Sequence, residues 1–146
     1  MLIDTNVLVY AFDPRDSGKH QRAFDILDRL QLDGVGRLSV QCLGEFFCAT
    51  TRGVHPILTQ AEAAEQVEWL GRAFRVFDIS PAVVREAVRG VCAHRMAYWD
   101  AQIWATARLN QIPVVLSEDF AASTIEGVRF VNPFVPDAPF DAWMKG

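Results

Sequence analysis

The stretch Pro113-Val114-Val115-Leu116-Ser117-Glu118-Asp119 contains the clearest strand in this sequence. Residues 113–116 form a short apolar run that is typical of a buried strand, and polar residues follow it at once. Residues 96–111, immediately upstream, have the pattern of a helix. A buried strand that follows a helix is typical of a parallel sheet, because a helix usually makes the crossover between parallel strands.

The same alternation extends through most of the chain. Further strands are predicted at residues 1–3, 38–40, 76–79 and 128–131, and further helices at residues 23–30, 40–51, 59–74 and 80–94. Thr59 with Glu62 forms a capping box that opens one helix, and Ser80-Pro81 opens the next. The sequence therefore predicts an α/β fold in which a parallel sheet of about five strands carries helices on both faces.

Length and composition set the broad class of the protein. With 146 residues, 51% of them hydrophobic and 22% charged, the chain has a globular composition, and we expect one domain spanning residues 1–146. It has no apolar run of about 20 residues that would span a membrane. The N-terminus lacks the basic and apolar regions of a signal peptide. We therefore expect a cytoplasmic protein that does not enter a membrane.

Charge and motifs exclude several classes of function. The net charge of −4 argues against a protein that coats nucleic acid, although an enzyme with a local basic rim and a metal ion remains compatible with it. The chain has no G-x-G-x-x-G, P-loop or G-x-S-x-G motif, so the signatures of nucleotide-cofactor enzymes and serine hydrolases are missing. The three cysteines have no zinc-binding spacing, and we expect them to be small buried side chains.

Acidic residues occupy positions where a parallel sheet places its functional groups. Asp4 and Asp119 each follow a predicted strand, and active sites of parallel sheets lie beyond the carboxyl ends of the strands. Asp100 lies on the apolar face of its helix, where a carboxylate is costly to bury unless it is paired or binds a metal ion. Glu45 lies on an apolar helix as well, although its own face is more polar.

Each of these carboxylates taken alone also has a structural explanation. Asp4 and Asp119 are suited to capping a turn or helix, Asp100 to the first turn of its helix or a distant arginine, and Glu45 to a solvated helix surface. Together, four carboxylates that meet without cations would repel one another. An all-oxygen set of this kind suits Mg²⁺ or Mn²⁺, and such ions activate water for attack at phosphorus.

The acidic residues lie in four segments whose order is informative. The segments are Leu2-Ile3-Asp4-Thr5-Asn6, Ser39-Val40-Gln41-Cys42-Leu43-Gly44-Glu45-Phe46, Tyr98-Trp99-Asp100-Ala101-Gln102-Ile103 and Leu116-Ser117-Glu118-Asp119-Phe120. In this order they resemble the motifs of the PIN-domain ribonucleases, and within that family the VapC-type toxins of toxin–antitoxin pairs. The closing segment Arg129-Phe130-Val131-Asn132-Pro133-Phe134 also resembles the end of these toxins. The resemblance covers nearly the whole chain and implies a PIN-like three-layer sandwich.

The resemblance implies an acidic site that holds one or two Mg²⁺ or Mn²⁺ ions and hydrolyses RNA, leaving a 5′-phosphate and a 3′-hydroxyl. The implied metal ligands and catalytic residues are Asp4, Glu45, Asp100 and Asp119, and the implied helper residues are Thr5, Asn6 and Ser117. Asp119 is preferred to Glu118 because it stands two residues after Ser117, as in the family's pattern. Ala97 departs from that pattern, since many relatives have serine there, and this puts one helper hydrogen bond in doubt.

The resemblance also implies an RNA substrate and a cognate antitoxin protein as partners, and we expect the chain to form a homodimer. The C-terminal segment of the antitoxin would lie across the acidic cleft. Its apolar anchors would sit in a groove between the first helices, near four residues of which we expect at least two to be ordinary core: Leu27, Leu30, Phe46 and Phe47.

Some features of the sequence keep two interpretations. Arg15, Lys19 and Arg22 form either a solvated helix surface or a contact for RNA phosphates. Trp99 belongs either to the core or an interface, or to one wall of the site beside Asp100.

Two other functions are alternatives to an RNA-cleaving toxin. One is a PIN-like nuclease of RNA processing or of DNA flaps outside a toxin–antitoxin pair, which the short chain disfavours. The other is a PIN module that binds nucleic acid without catalysis, which the complete set of four acids disfavours. An aspartyl phosphatase would need a second aspartate after the first strand, whereas this chain has Asp4-Thr5-Asn6.

Overall fold

A mostly parallel sheet lies at the centre of the computed structural model of the protein, which describes residues 1–120 and 123–135. The strands are β1 (Leu2–Ile3), β2 (Arg37–Ser39), β3 (Arg75–Phe77), β4 (Val114–Leu116), β5 (Ser123–Ile125) and β6 (Val128–Val131). Their order across the sheet is β3-β2-β1-β4-β6-β5. All neighbours pair in parallel except β5, which runs antiparallel to β6 at one edge.

The helices are α1 (Thr5–Tyr10), α2 (Ser17–Leu32), α3 (Val40–Thr51), α4 (Gln60–Ala73), α5 (Pro81–His94) and α6 (Tyr98–Leu109). The chain moves outward from β1 to β3 through α1–α4, and then returns through α5 and α6 to β4 on the other side of β1. Because such crossovers are right-handed, the two groups of helices cover opposite faces of the sheet. None of the helices in the described part of the chain is long and apolar enough to span a membrane.

The predicted fold class is confirmed, including the five parallel strands and the helices around them. The capping box of Thr59 and Glu62 and the Ser80 cap are both present. Two elements are not predicted from the sequence: α1, whose apolar residues run directly into a loop, and the edge strand β5. Exposed polar residues begin β5, and its turn to β6 uses Glu126 and Gly127, both with positive φ. This turn lacks the usual Asn-Gly or Asp-Gly signal of a tight hairpin.

The reversal of strand order between β1 and β4 determines where the site lies. In doubly wound sheets, ligands bind beyond the carboxyl ends of the strands at the point where the order reverses. Here that point lies between the ends of β1 and β4, because β2 and β3 lie on one side of β1 and β4 on the other. Leu2, Ile3, Val115 and Leu116 are fully buried, so the two strands form a rigid base for the residues that follow them.

Candidate active site

Asp4 follows β1 and caps α1, and it is the most buried of the four predicted carboxylates. Only 7% of the residue is exposed. Its Oδ1 accepts a hydrogen bond from the Thr5 backbone nitrogen at 2.7 Å, and its Oδ2 accepts from Ser117 Oγ at 2.6 Å and Asn6 Nδ2 at 3.2 Å. Burial raises the pKa of Asp4 to about 6, against the effect of these donors, and the charges of Asp119 and Glu45 raise it further.

Asp119 stands beside Asp4, although the two lie on different strand ends. Asn6 Nδ2 contacts Asp119 Oδ2 at 3.0 Å and Ser117 Oγ at 3.1 Å, in addition to its contact with Asp4. The Asp119 backbone nitrogen donates to Ser117 Oγ at 3.2 Å. Asn6 and Ser117 therefore join the ends of β1 and β4.

Glu118 has different surroundings from its neighbour. Its carboxylate accepts a hydrogen bond from Lys19 Nζ, which also contacts the Tyr10 hydroxyl at 3.0 Å. This ion pair joins Glu118 to α2, which carries Lys19. The two adjacent acids thus have separate partners, and it is Asp119 that shares the network of Asp4.

Glu45 comes to the site from the middle of α3. Ser39 caps this helix, its side chain accepting a hydrogen bond from the Cys42 backbone nitrogen. Both carboxylate oxygens of Glu45 accept hydrogen bonds, Oε2 from Thr5 Oγ1 at 2.6 Å and Oε1 from Gln41 Nε2 at 2.9 Å. Thr5 therefore links Glu45 to the end of β1.

Asp100 lies in the first turn of α6 and is half-buried. No donor in the described part of the chain bonds to its carboxylate. Burial raises its pKa, and the charges of Asp119 and Glu45 raise it as well. The distant arginine that the sequence left open is not found among residues 1–120 and 123–135, so the first turn of α6 is the structural explanation that remains. No side-chain cation of these residues offsets the charge of Asp100.

The four carboxylates form one electrostatic unit. Asp119 and Glu45 each raise the pKa of both Asp4 and Asp100. Within the described residues, no lysine or arginine forms an ion pair with any of the four. Carboxylates that lack an ion-pair partner favour a bound cation, because a cation would offset their mutual repulsion.

The donor set fits a hard divalent cation. Searched over the described residues, no three His, Cys, Asp or Glu side chains form a ready-made metal cage. Mg²⁺ does not require one, since it usually keeps several waters and binds one or two carboxylates together with substrate phosphates. Carboxylate oxygens without nitrogen or sulfur ligands favour Mg²⁺ or Mn²⁺ over zinc or copper.

The structure shows how far the four residues named near the antitoxin groove are buried. Leu30 and Phe46 are fully buried and Leu27 is 4% exposed, so three of the four proposed anchors for an antitoxin belong to the core. The exposed apolar side chains on this side are instead Phe24 and Trp69, which line a small groove with Leu27. The expectation that at least two of the four are core is confirmed. That a partner binds near them stays a prediction.

The basic residues near the site are partly neutralised. Arg15 pairs with Asp13, and Lys19 pairs with Glu118. Arg22 donates to the Pro133 carbonyl oxygen at 3.2 Å. The Arg15 side chain is still 66% exposed in its ion pair, so a contact for RNA phosphates stays a prediction beside a solvated helix surface.

The exposure of Trp99 and of the cysteines bears on two further sequence interpretations. Trp99 is 61% exposed beside Asp100, so it is not a core residue. Cys42 is buried as expected, but Cys92 is exposed on α5, which contradicts the expectation for that cysteine. Trp143, another tryptophan that the sequence suggests for the core or an interface, lies outside the described residues.

Sequence reasoning missed two glutamines next to the acids. Gln41 lies one helical turn before Glu45 and bonds to it, and Gln102 donates its Nε2 to Gln41 Oε1 at 2.7 Å. Gln102 is buried on α6 among apolar residues. A polar residue two positions after Asp100 on a buried helix was the available signal.

The comparisons with known proteins agree with this geometry. A family model described as the PIN domain matches residues 1–127, so the chain belongs to the PIN-domain family. No curated protein is significantly similar to the chain in sequence.

Solved structures share the fold at low sequence identity. One is a toxin–antitoxin complex from Klebsiella pneumoniae, with a TM-score of 0.66, 21% identity, and coverage of 90% of this chain and 96% of that chain. Another is VapC20 from Mycobacterium tuberculosis, a toxin that cleaves the sarcin–ricin loop. Its TM-score is 0.64 and its sequence identity 22%, with coverage of 86% of this chain and 96% of that chain. For FitAB bound to a DNA fragment, the TM-score is 0.69 and the sequence identity 21%, with coverage of 93% of this chain and 96% of that chain. The fold is therefore that of PIN-domain toxins.

Proposed function

We propose that this PIN-domain protein, one domain over residues 1–146, is a metal-dependent endoribonuclease and the toxin of a toxin–antitoxin pair in the cytoplasm. The observation that carries the proposal is the set of mutually interacting carboxylates at the reversal of strand order, which no lysine or arginine of the described chain neutralises. The fold is also shared with VapC20, whose structure is described as that of a toxin cleaving the sarcin–ricin loop.

In this proposal, Asp4, Glu45, Asp100 and Asp119 hold one or two Mg²⁺ or Mn²⁺ ions. The ion supplies a Lewis acid that makes water nucleophilic near neutral pH and neutralises charge developing on the phosphate. Asp4 is the fixed ligand, because three donors hold it and little of it is exposed. Asp100 has no donor from the described chain, so its oxygens are available to a ligand.

The helper residues keep the ligands in place. Thr5 orients both Asp4 and Glu45, through its backbone nitrogen and its hydroxyl. Asn6 and Ser117 hold Asp4 and Asp119 at the ends of adjacent strands. Fixed ligands reduce the reorganisation that the site must undergo during the reaction.

The ends of the cleavage products test the reaction. A defined RNA cut by the purified protein in Mg²⁺ should carry a 5′-phosphate on the downstream fragment and a 3′-hydroxyl on the upstream fragment. A substrate with a 2′-deoxy sugar at the cleaved position should still be cut, because the attacking oxygen comes from water. A 2′,3′-cyclic phosphate, or loss of cleavage at the deoxy position, would contradict the proposed chemistry.

The antitoxin is the second partner in this proposal. Chains of this fold occur in complexes described as toxin–antitoxin complexes. Phe24 is 57% exposed and Trp69 37%, and the groove between them suits an apolar segment of such a partner. Charge complementary to the acidic site then steers the encounter of the two proteins, and buried apolar contact slows the dissociation of the antitoxin.

Co-expression with the neighbouring gene product tests the partner. The wild-type protein alone should arrest growth, and the partner or Asp4→Asn should restore it. Phe24→Ser should leave the protein toxic but reduce rescue by the partner. Normal growth with active wild-type protein would contradict the toxin assignment and leave the nuclease proposal standing.

A homodimer completes the proposed assembly. Val84 and Val88 lie one turn apart on α5 and are 37% and 50% exposed, which leaves an apolar strip on this helix. Light scattering should give the mass of a dimer for the wild type, and Val88→Arg should shift it to a monomer. A monomeric wild type would contradict this part of the proposal.

A further inference from the structure

We propose that Gln41, Gln102 and Tyr98 are positioning residues that orient Glu45 for a divalent cation. This inference rests on the proposed function, because it assumes that Glu45 is a metal ligand. It adds residues on two helices that act through Glu45 and are not proposed as ligands of the ion. Their effect reaches the site through hydrogen bonds to one carboxylate.

The hydrogen bonds form a continuous chain between α6 and α3. Tyr98 Oη donates to Gln102 Oε1 at 2.9 Å, and Gln102 Nε2 donates to Gln41 Oε1 at 2.7 Å. Gln41 Nε2 then donates to Glu45 Oε1 at 2.9 Å. The chain therefore ends on a carboxylate oxygen of the site.

The donor-to-acceptor direction of these hydrogen bonds follows from the acceptors that Gln41 contacts. Gln41 Nε2 also contacts the Trp99 carbonyl oxygen at 3.2 Å, and a carbonyl oxygen can only accept. The Gln41 amide therefore must place its nitrogen toward Trp99 and Glu45, and its oxygen toward Gln102. Gln102 must then donate with its nitrogen and accept with its oxygen, so Tyr98 has to donate. Each member fixes the orientation of the next.

Burying the amide of Gln102 is costly unless its donors and acceptors have partners. Only 5% of Gln102 is exposed, and its neighbours on α6 are buried apolar residues. A buried amide destabilises a protein unless its donors and acceptors are satisfied. Both ends of Gln102 are satisfied, but an apolar residue at this position would need no partner. We infer that the amide is present for what it orients.

The chain leaves Glu45 able to bind a cation. Gln41 occupies one lone-pair position of Oε1, and Thr5 Oγ1 occupies one of Oε2 at 2.6 Å. Each carboxylate oxygen has about two such positions, so one on each oxygen remains for a ligand. Partners of this kind fix the orientation of a metal-binding side chain and tune its affinity.

The same bonds join the two helices that carry Glu45 and Asp100. Gln41 lies on α3, whereas Gln102, Tyr98 and the Trp99 carbonyl belong to α6. The charge of Glu45 raises the pKa of Asp100, so the two carboxylates repel each other. A cross-link between their helices opposes this repulsion and holds the carboxylates ready before the cation arrives.

Calorimetric titration of the full chain with Mn²⁺ tests the inference. The variants are Gln41→Met, Gln102→Met and Tyr98→Phe, which keep side-chain size and remove one link each. The control is Thr50→Val, because Thr50 is buried on α3 and its hydroxyl bonds only to carbonyl oxygens of its own helix. Circular dichroism and melting temperature are recorded for each variant to confirm folding.

The expected result is a graded loss of Mn²⁺ affinity. Gln41→Met should weaken binding by about 10-fold to 100-fold, the usual cost of losing a partner of a metal ligand. Gln102→Met should lose less, Tyr98→Phe least, and Thr50→Val should bind like the wild type. A purely structural role would lower melting temperatures without this gradient.

A double variant separates this inference from the proposed function. In a Glu45→Gln background, Gln41→Met should weaken Mn²⁺ binding no further, because it acts through Glu45. If Glu45→Gln weakens binding but Gln41→Met and Gln102→Met do not, the inference is overturned and the metal site stands. The inference is also overturned, and the metal site stands, if Gln41→Met lowers Mn²⁺ affinity equally in the wild-type and Glu45→Gln backgrounds. If Glu45→Gln binds Mn²⁺ like the wild type, the ligand assignment fails and the inference fails with it.

Discussion

Asn6 is the residue that connects the acids at the two strand ends. Its single amide nitrogen contacts Asp4, Ser117 and Asp119 at 3.0–3.2 Å. Its amide oxygen accepts from the Glu118 backbone nitrogen at 3.3 Å. Asn6 thereby fixes the chain after β4, so that Asp119 turns into the site while Glu118 turns toward Lys19.

This arrangement predicts opposite results for the two adjacent acids. Asp119→Asn should reduce RNA cleavage by about 100-fold or more, the typical cost of losing one electrostatic group from an active site. Glu118→Gln should reduce it little, because Glu118 pairs with Lys19 instead of the other acids. Initial rates on one RNA substrate compare the two. An inactive Glu118→Gln with an active Asp119→Asn would show that the wrong acid was assigned.

The position of Asp4 among the acids predicts that metal binding stabilises the folded protein. A cation that binds only the folded protein raises its stability, by about 2.7 kcal/mol at a concentration about 100 times the dissociation constant. The melting temperature of the wild type should therefore rise with Mn²⁺, and Asp4→Asn should lose this rise. Asp25→Asn is the control, because Asp25 is exposed on α2 and accepts from Gln21. An unchanged wild-type melting temperature in millimolar Mn²⁺ would contradict a shared acidic site.

At the scale of elements, Trp104 of α6 and the β5–β6 hairpin hold each other in place. Trp104 is fully buried, and its Nε1 donates to the Ile125 carbonyl oxygen at 3.1 Å. Glu126, in the turn of the hairpin, pairs with Arg89, His94 and Arg108. Since β6 pairs with β4, this contact supports the strand that ends at the site.

Glu126 predicts a pH-dependent contribution to stability. Hydrogen bonds from Arg89 and then from His94 lower the pKa of Glu126 from 4.5 to about 2. A group with a lowered pKa in the folded state stabilises the protein above its unfolded value and loses this contribution as pH falls. Glu126→Gln should therefore lower the melting temperature at pH 7, and the difference from wild type should vanish between pH 4.5 and about 2.

Matched measurements isolate this effect from general acid unfolding. Glu65→Gln, a change at an exposed glutamate of α4, should leave the melting curve unchanged across the same range. Because Glu126 is exposed at the surface, added salt should shrink the Glu126→Gln difference as well. A difference that persists undiminished at pH 2 would contradict the ion-pair explanation.

At the scale of the whole molecule, the chain alternates strands and helices so that Asp4 and the Ser117–Asp119 segment meet where strand order reverses. The alternation, most element positions and the approximate location of the acids were predictable, because apolar periodicity and strand ends are local signals. Asp100 stood out for the same reason, as a charge on an apolar face.

Other features depended on contacts that no local pattern contains. The strand order, the partners of Glu118 and the Gln102–Gln41 link each join residues far apart in the chain. Burial by the same chain and burial by a partner leave the same spacing, so the spacing of Leu27, Leu30 and Phe46 could not tell which of the two applied. The edge strand β5 was missed because its polar residues pair with β6 without forming an apolar run.

RNA cleavage as a function of divalent metal tests the central claim most directly. The purified wild-type protein should cut RNA in Mg²⁺ or Mn²⁺, stop in excess EDTA, and recover when the metal is restored. Asp100→Asn should stay inactive at every metal concentration, because the carboxylate that lacks a protein partner is then missing. Equal cleavage in EDTA and in Mg²⁺, or full activity of Asp100→Asn, would contradict a metal-dependent nuclease built on these four carboxylates.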